Sequence, residues 1–185
     1  MYAVKEKYGI SRWFLLTILL SFFGWAFESV YVYFAYGKWT NRGFLSLPLC
    51  PIYGCSILFT YFLVGTPDAC SIKQVSKNKC GIFFYLYVCF ILPTAMELII
   101  GFLFDKILKI RLWDYSYSKY NLNGYICLKN SIIWAILLFG FMKFLFHPLK
   151  RGIGKMQTLY SGIFAVGVAL FITADFALQI MKAVA

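Results

Sequence analysis

Five long runs of apolar residues, separated by shorter polar segments, dominate the chain. They cover roughly residues 13–36, 48–65, 81–104, 127–147 and 157–180. Each run approaches the ~20 residues that a helix needs to cross a bilayer. Their aromatic residues do not alternate as in a β-barrel, and a spanning backbone must satisfy its own hydrogen bonds. The pattern predicts an all-α, polytopic membrane protein with about five transmembrane helices, in a single integral membrane domain over residues 1–185.

The polar segments between the runs are predicted loops. The longest, 105–126, carries too many charged and polar residues to span. In 37–54, two prolines and a glycine lie between Pro48 and Gly54, which predicts a broken or re-entrant start for the second span. The first run lacks a short apolar region ending in a small-residue cleavage site, so we expect it to be retained.

Composition supports a membrane protein. Hydrophobic residues make up 62% of the chain and the mean hydropathy is +0.75, whereas soluble domains are about 45–50% apolar. The formal net charge is +11, which in a soluble protein would suggest nucleic acid. Here the basic residues lie mostly in short loops, where they anchor helix ends. We therefore expect the lipid bilayer, and no nucleic acid, as a partner.

The distribution of basic residues predicts an orientation. Five spans place the termini on opposite sides, with ten lysines and arginines on the N-terminal side and eight on the other. Cytoplasmic loops carry an excess of these residues. The excess favours a cytoplasmic N-terminus in a multi-pass protein of the cell membrane.

Three acidic residues fall inside the apolar runs. With a rise of about 1.5 Å per residue, Glu28, Glu97 and Asp175 lie roughly 22, 24 and 27 Å along their spans. The three spans run in the same direction, so the acids are predicted at a similar depth near one face. A charge in the membrane is costly and commonly marks a functional site, although such acids also join helices structurally.

The two loops on that side add complementary side chains. Lys38 and Arg42 are expected to return over the membrane and pair with the two glutamates. Trp113 and Tyr115 are amphipathic interfacial aromatics, and Asp114 between them caps a turn or accepts from a basic side chain. The predicted substrate- or ion-binding residues are Glu28, Glu97, Lys38, Asn41, Arg42, Trp113, Asp114, Tyr115 and Asp175.

Metal and cofactor chemistry has little support in the sequence. The six cysteines form no C-x-x-C pair and the chain has a single histidine, His147, so we expect neither a bound metal nor a cofactor. No base is available to activate Cys50 as a nucleophile. Catalytic residues cannot be assigned from these patterns.

Several short motifs together indicate a family. They are G-W-x-x-E at 24–28, G-K-x-x-N-R-G-F-L at 37–45, C-P-I-Y-G at 50–54, E-x-x-x-G at 97–101, W-D-Y-S at 113–116 and G-Y-I-C-L at 124–128. Over roughly residues 10–150 the chain resembles the CmpB-like family of bacterial membrane proteins, described as "Putative ABC-transporter type IV". The resemblance implies a small polytopic protein. The sequence contains no G-x-x-x-x-G-K-[ST] motif, so an ATPase would be a separate subunit.

Three functions compete at this stage. The leading hypothesis is a permease-like or substrate-binding transport component with an intramembrane carboxylate site, working with a separate ATPase or as a homo-oligomer. The second is an intramembrane enzyme that modifies a lipid or polyprenyl substrate, using Glu97 with Asp114, or Glu28 with a loop group, as acid and base. The third is an accessory scaffold without a ligand, in which the carboxylates join helices.

Overall fold

The computed structural model describes residues 8–39, 41, 43–67 and 79–184, and helices dominate it. The elements are α1 (Ile10–Tyr36), α2 (Pro51–Val64), α3 (Lys79–Leu103), a π-helical turn (Phe104–Leu108), β1 (Asn121–Leu122), β2 (Ile126–Cys127), α4 (Leu128–Phe144), α5 (Phe146–Gly154) and α6 (Thr158–Val184). The predicted all-α membrane class is confirmed.

The number of membrane crossings differs from a simple count of apolar runs. Within the described ranges, three helices are long and apolar enough to span, namely α1, α3 with its π-helical turn, and α6. Helices α4 and α5 meet at a bend of 50° and qualify as a fourth span only when taken together. Helix α2 has 14 residues, about 21 Å, against a hydrocarbon core of about 30 Å. Five spans therefore stay a prediction.

Helices α1 and α2 pack closely because small residues face each other. A Cβ on Gly54 would lie 2.3 Å from Ser21 Oγ and 2.4 Å from Thr17 O, and a Cβ on Gly24 would lie 2.3 Å from Tyr53 Cβ. Small residues allow such close approach in membranes, where packing and hydrogen bonding drive association. The contact fixes α2 against the middle of α1.

Contacts between distant residues define two ends of the bundle. At the N-terminal end, Arg12 Nη2 donates to Met156 O over 2.7 Å. At the other end, which we call the carboxylate end, Asp175 near the end of α6 accepts from Ser46, which follows α1 in the chain. Helices α1 and α6 therefore run in the same direction. The buried core lies between α1, α2, α3 and α4; it is built from Leu16, Leu20, Ile57, Leu58, Tyr85, Cys89, Ala135, Leu138, Phe141, Met142 and Phe146.

Residues 43–50 form a non-helical segment, which we call the re-entrant segment after the prediction made for it. Leu45, Leu49 and Cys50 are buried, and the Cys50 N–H donates to the carbonyl of Ser21 over 3.2 Å. Ser21 lies well inside α1, so the segment enters the bundle before Pro51 starts α2. Irregular backbone at this depth requires protein around it, and the burial of these side chains supplies that protection.

The chain after α3 folds back over the carboxylate end. Trp113 Nε1 donates to Tyr125 O over 2.7 Å, and the Trp113 ring lies beside Gly101. Strands β1 and β2 pair in antiparallel fashion, and the turn between them has positive φ at Asn123 and Gly124 (51° and 73°), as a type I′ turn requires.

Candidate functional site

Glu28 is held by a tyrosine from α2. Tyr53 Oη donates to Glu28 Oε2 over 2.9 Å. The contact follows from the close packing of the two helices, because the Tyr53 side chain passes over Gly24, one turn before Glu28. Tyr53 is the third residue of α2, directly after the re-entrant segment. The position of this hydroxyl therefore depends on how the segment enters the bundle.

Glu97 is held by a tyrosine from the WDYS loop. Tyr115 Oη donates to Glu97 Oε1 over 2.9 Å, and the side chain of Asn130, at the start of α4, lies near Tyr115. Burial raises the pKa of Tyr115 well above its usual value, and the adjacent charge of Glu97 raises it further. Tyr115 thus stays a hydrogen-bond donor to the carboxylate over the physiological range.

The two pairs form one carboxylate cluster, made of Glu28, Tyr53, Glu97, Tyr115 and Asn130. The carboxylates interact electrostatically with each other, and so do the two tyrosines. Two like charges in a partly buried site are costly unless a proton or a cation compensates them. Each carboxylate can accept several hydrogen bonds, so the cluster can hold a proton or a hydrogen-bonding cation.

An apolar cleft of about 300 Å³ adjoins this cluster. Its walls come from α1, α2 and α4, with Pro93 of α3 contributing at one side. Tyr53 and Trp134 pack against each other in its wall with ring centroids 5.0 Å apart. The cleft joins the carboxylate cluster to the apolar part of the bundle.

Asp175 lies at the same end but forms a separate contact. It accepts from Ser46 N over 2.9 Å, from Ser46 Oγ, and from Leu47 N over 3.3 Å. A carboxylate that accepts two backbone N–H groups satisfies donors that the irregular segment would otherwise bury unpaired. The structure therefore places Asp175 on the re-entrant segment, not in the carboxylate cluster.

Asn41 of the first loop forms hydrogen bonds to α1 and to the following segment. Asn41 Oδ1 accepts from Trp25 Nε1 over 2.6 Å, and Asn41 Nδ2 donates to the carbonyls of Leu45 and Ser46. Asn41 thus ties the loop to α1.

The structure does not show the expected pairing of Lys38 with the glutamates. Lys38 is exposed and, among the residues that the structure describes, forms no ion pair with Glu28 or Glu97. The reason is distance along α1: Gly37 ends the helix nine residues, or about 13 Å, beyond Glu28. Arg42 lies outside the described residues.

In the second loop, Trp113 and Asp114 have structural contacts. Asp114 is exposed, accepts from Arg111 Nη2 over 3.0 Å, and accepts from both the N–H and the hydroxyl of Ser116. These contacts, led by the Ser116 hydroxyl, lower the pKa of Asp114. The residues that contact Asp114 therefore belong to its own loop. They do not include Glu97, with which the enzyme hypothesis paired it. The bond from Trp113 to Tyr125 and the bond from Tyr115 N to Gly124 O hold the part of the loop that carries Tyr115.

Two members of the cluster, Tyr53 and Asn130, are not among the site residues predicted from the sequence. Tyr53 was visible only as part of the C-P-I-Y-G motif. The feature that could have indicated Tyr53 is its position next to Gly54. A glycine allows close packing of two helices, which brings the adjacent hydroxyl near another span. Asn130 gave no comparable signal, because its role depends on the fold of the loop before it.

Comparison with known proteins gives one match. The family model described as "Putative ABC-transporter type IV" covers residues 14–180. This confirms the resemblance inferred from the motifs and extends it through α6, including Asp175. No curated protein matched the chain. No solved structure matched it either.

Proposed function

Because the chain belongs to the family described as "Putative ABC-transporter type IV", we propose that it is a permease-like membrane transport component. Its carboxylate cluster binds a cation, either a coupling proton or a charged substrate. The observation that carries this proposal is that Glu28 and Glu97, on different helices, each accept a hydrogen bond from a tyrosine at the same end of the bundle.

The contacts around Glu97 support a cation as the ligand. Within the described part of the chain, neither lysine nor arginine forms an ion pair with Glu97, and its recorded hydrogen bond comes from the neutral Tyr115. A tyrosine hydroxyl orients a carboxylate without neutralising it. The charge of Glu97 thus stays available to a bound proton or cation.

The proposal includes a partner and an orientation. Since the sequence has no P-loop, ATP would be hydrolysed by a separate subunit. With a cytoplasmic N-terminus, that subunit would meet the N-terminal end, where α5 and the residues after it carry Lys150, Arg151 and Lys155. The carboxylate cluster would then open toward the extracytoplasmic side.

The test measures cation binding through stability. Purified protein in a non-ionic detergent is unfolded thermally across pH, and with sodium, potassium, ammonium and methylammonium, because a ligand of the native state raises the melting temperature. The variants are Glu28→Gln and Glu97→Gln. Asp114→Asn is the matched control, since it removes a carboxylate from the same end but outside the cluster.

We expect one cation, or protons alone, to stabilise the wild type and Asp114→Asn but neither glutamine variant. Folded glutamine variants that keep the full stabilisation would disprove the carboxylate site. Strong destabilisation of both glutamine variants, with no response of the wild type to any cation or to pH, would support the scaffold alternative instead.

A further inference from the structure

The apolar cleft meets the carboxylate cluster at Tyr53. Tyr53 belongs to the cleft and to the cluster, because its ring lines the cleft while its hydroxyl donates to Glu28. Gly24 and Pro93 also line the cleft. Glu28 and Glu97 follow these two residues by four positions, one helical turn, toward the carboxylate end. A molecule in the cleft would therefore have its end beside the two carboxylates.

The walls of the cleft suit an apolar, aromatic ligand. Among its described lining residues none is charged, and Tyr53 and Trp134 present packed aromatic rings. Phe27, Ile136 and Phe144 also line it and are exposed, so the cleft opens on a side of the bundle that faces lipid. Aromatic faces attract cations electrostatically, most strongly where water is excluded.

We propose that the cleft and the carboxylate cluster together bind a lipophilic organic cation that enters from the bilayer. Its apolar groups occupy the cleft and its charge lies beside Glu97. This inference rests on the proposed cation-binding role of the cluster and specifies the substrate class.

Two observations favour this occupant over a neutral lipid or an anion. The cluster carries two carboxylates, and a carboxylate attracts a positive charge and repels an anion. The cleft volume of about 300 Å³ lies at the lower end of the range for small-molecule sites, which are typically apolar with a few convergent polar groups. Shape and charge thus point to the same class of molecule.

The test uses a matched pair of probes with one shape and opposite charge, tetraphenylphosphonium and tetraphenylborate. Binding is measured by equilibrium dialysis of the purified full chain in a non-ionic detergent. The phosphonium charge does not titrate, so its binding reports charge recognition without a change in the ligand. We expect tetraphenylphosphonium to bind the wild type at least about tenfold more tightly than the borate, a difference of about 1.4 kcal/mol.

Three variants separate the cleft from the carboxylate. Gly140 lines the cleft, and a Cβ there meets nothing within 4 Å, so Gly140→Leu fills open space while favouring the helix. Gly167 on α6 has equally open surroundings away from the cleft, so Gly167→Leu is the matched control. Glu97→Gln removes the charge. We expect about tenfold weaker phosphonium binding in Gly140→Leu and Glu97→Gln and no change in Gly167→Leu, with thermal unfolding confirming that each variant is folded.

Each contrary outcome has a definite meaning. Equal binding of phosphonium and borate, unaffected by Glu97→Gln, would show partition into apolar surface and would overturn this inference. Small-cation binding that needs Glu97, without phosphonium binding that needs the cleft, would overturn the inference and leave the proposed function standing. If neither small cations nor phosphonium depend on Glu97, both fail.

Discussion

The two ends of the bundle handle buried charge differently. At the N-terminal end, Arg12 is 4% exposed and donates to Met156 O and Thr158 Oγ1, while Lys150 Nζ lies 4.3–5.6 Å from three aromatic ring centroids and donates to the Tyr61 hydroxyl. At the carboxylate end, Glu97 accepts from one neutral tyrosine beside a second carboxylate. The cations are enclosed by carbonyls and rings, whereas the acids lie next to an open cleft.

The difference separates charges that join helices at the N-terminal end from charges that lie beside a cleft. Partners of Arg12 and Lys150 come from helices that pack at the N-terminal end, so removing either side chain should affect stability first. The carboxylate cluster has like charges together, an arrangement that stability alone disfavours. Variants at the N-terminal end should therefore lose stability, whereas variants in the carboxylate cluster should lose cation binding.

The largest expected effect is loss of stability in Arg12→Leu. The change leaves the Met156 carbonyl and the Thr158 hydroxyl without a charged donor, and we expect the free energy of unfolding to fall by about 3 kcal/mol. Chemical unfolding in detergent measures it. Arg151→Leu, at an exposed position on α5, is the control and should change stability little. Equal losses in the two variants would show that the contacts of Arg12 do not stabilise this end of the bundle.

Next in size is Gly24→Ala, which tests whether packing sets the position of Tyr53. A Cβ would lie 2.3 Å from Tyr53 Cβ, so α1 and α2 must separate or the ring must move. We expect a loss of about 1–3 kcal/mol in unfolding free energy, as for other overpacked sites, together with weaker cation binding.

Gly167→Ala serves as the comparison for Gly24→Ala, since nothing lies within 4 Å of its Cβ and alanine favours a helix. It should keep or raise the melting temperature. Normal cation binding by a destabilised Gly24→Ala protein would show that the cluster does not depend on this close approach.

A smaller effect is expected for Tyr115→Phe. Loss of one hydrogen bond to a charged group should lower the free energy of unfolding by about 1–3 kcal/mol. The loss is smaller if water reaches Glu97 and replaces the hydroxyl. We expect cation affinity, measured by the thermal shift, to fall more than stability because the carboxylate loses its orientation. Tyr120→Phe, at an exposed position in the same loop, should leave both quantities unchanged.

The smallest effect concerns Asp114 and pH. Its pKa is lowered, chiefly by the Ser116 hydroxyl, so the stabilisation it gives is complete above its usual pKa of about 4 and is lost as pH falls through the lower folded-state value. Thermal unfolding of wild type and Asp114→Asn on acidification measures the difference. The two proteins should converge in acid and differ slightly at neutral pH; a constant difference at every pH would contradict the contact.

Local sequence patterns predicted the helical class and several residues of the carboxylate end. They did not predict contacts that depend on packing between residues far apart in the chain. Apolar length placed α1, α3 and α6, and the W-D-Y-S motif singled out Tyr115. Alternation of the five predicted spans implied that α1 and α6 run in the same direction, and the contacts at both ends of the bundle have this arrangement. Spacing along the helices could not show which face each acid occupies, so Asp175 was grouped with acids whose partners differ from its own.

The break between α4 and α5 shows a second limit. Residues 127–147 are mostly apolar, and hydropathy alone predicts one straight span. Pro148 lacks the N–H that would donate to Phe144 O, which accounts for the end of α4 at that residue and the bend of 50°. Pro148 lies outside the predicted span, so the hydropathy of that span contains no sign of its effect on the preceding turn.

The buried position of Arg12 has a consequence for the order of assembly. Its acceptors at Met156 and Thr158 follow it by 144 and 146 residues. During synthesis the first helix therefore enters the membrane long before these groups exist, and the contact can form only after the final helix has arrived. Asp175 repeats the situation at the opposite end, 129 residues after Ser46. The last helix thus completes both ends at once, and a chain that stops before it would leave the first helix and the re-entrant segment without these closing contacts.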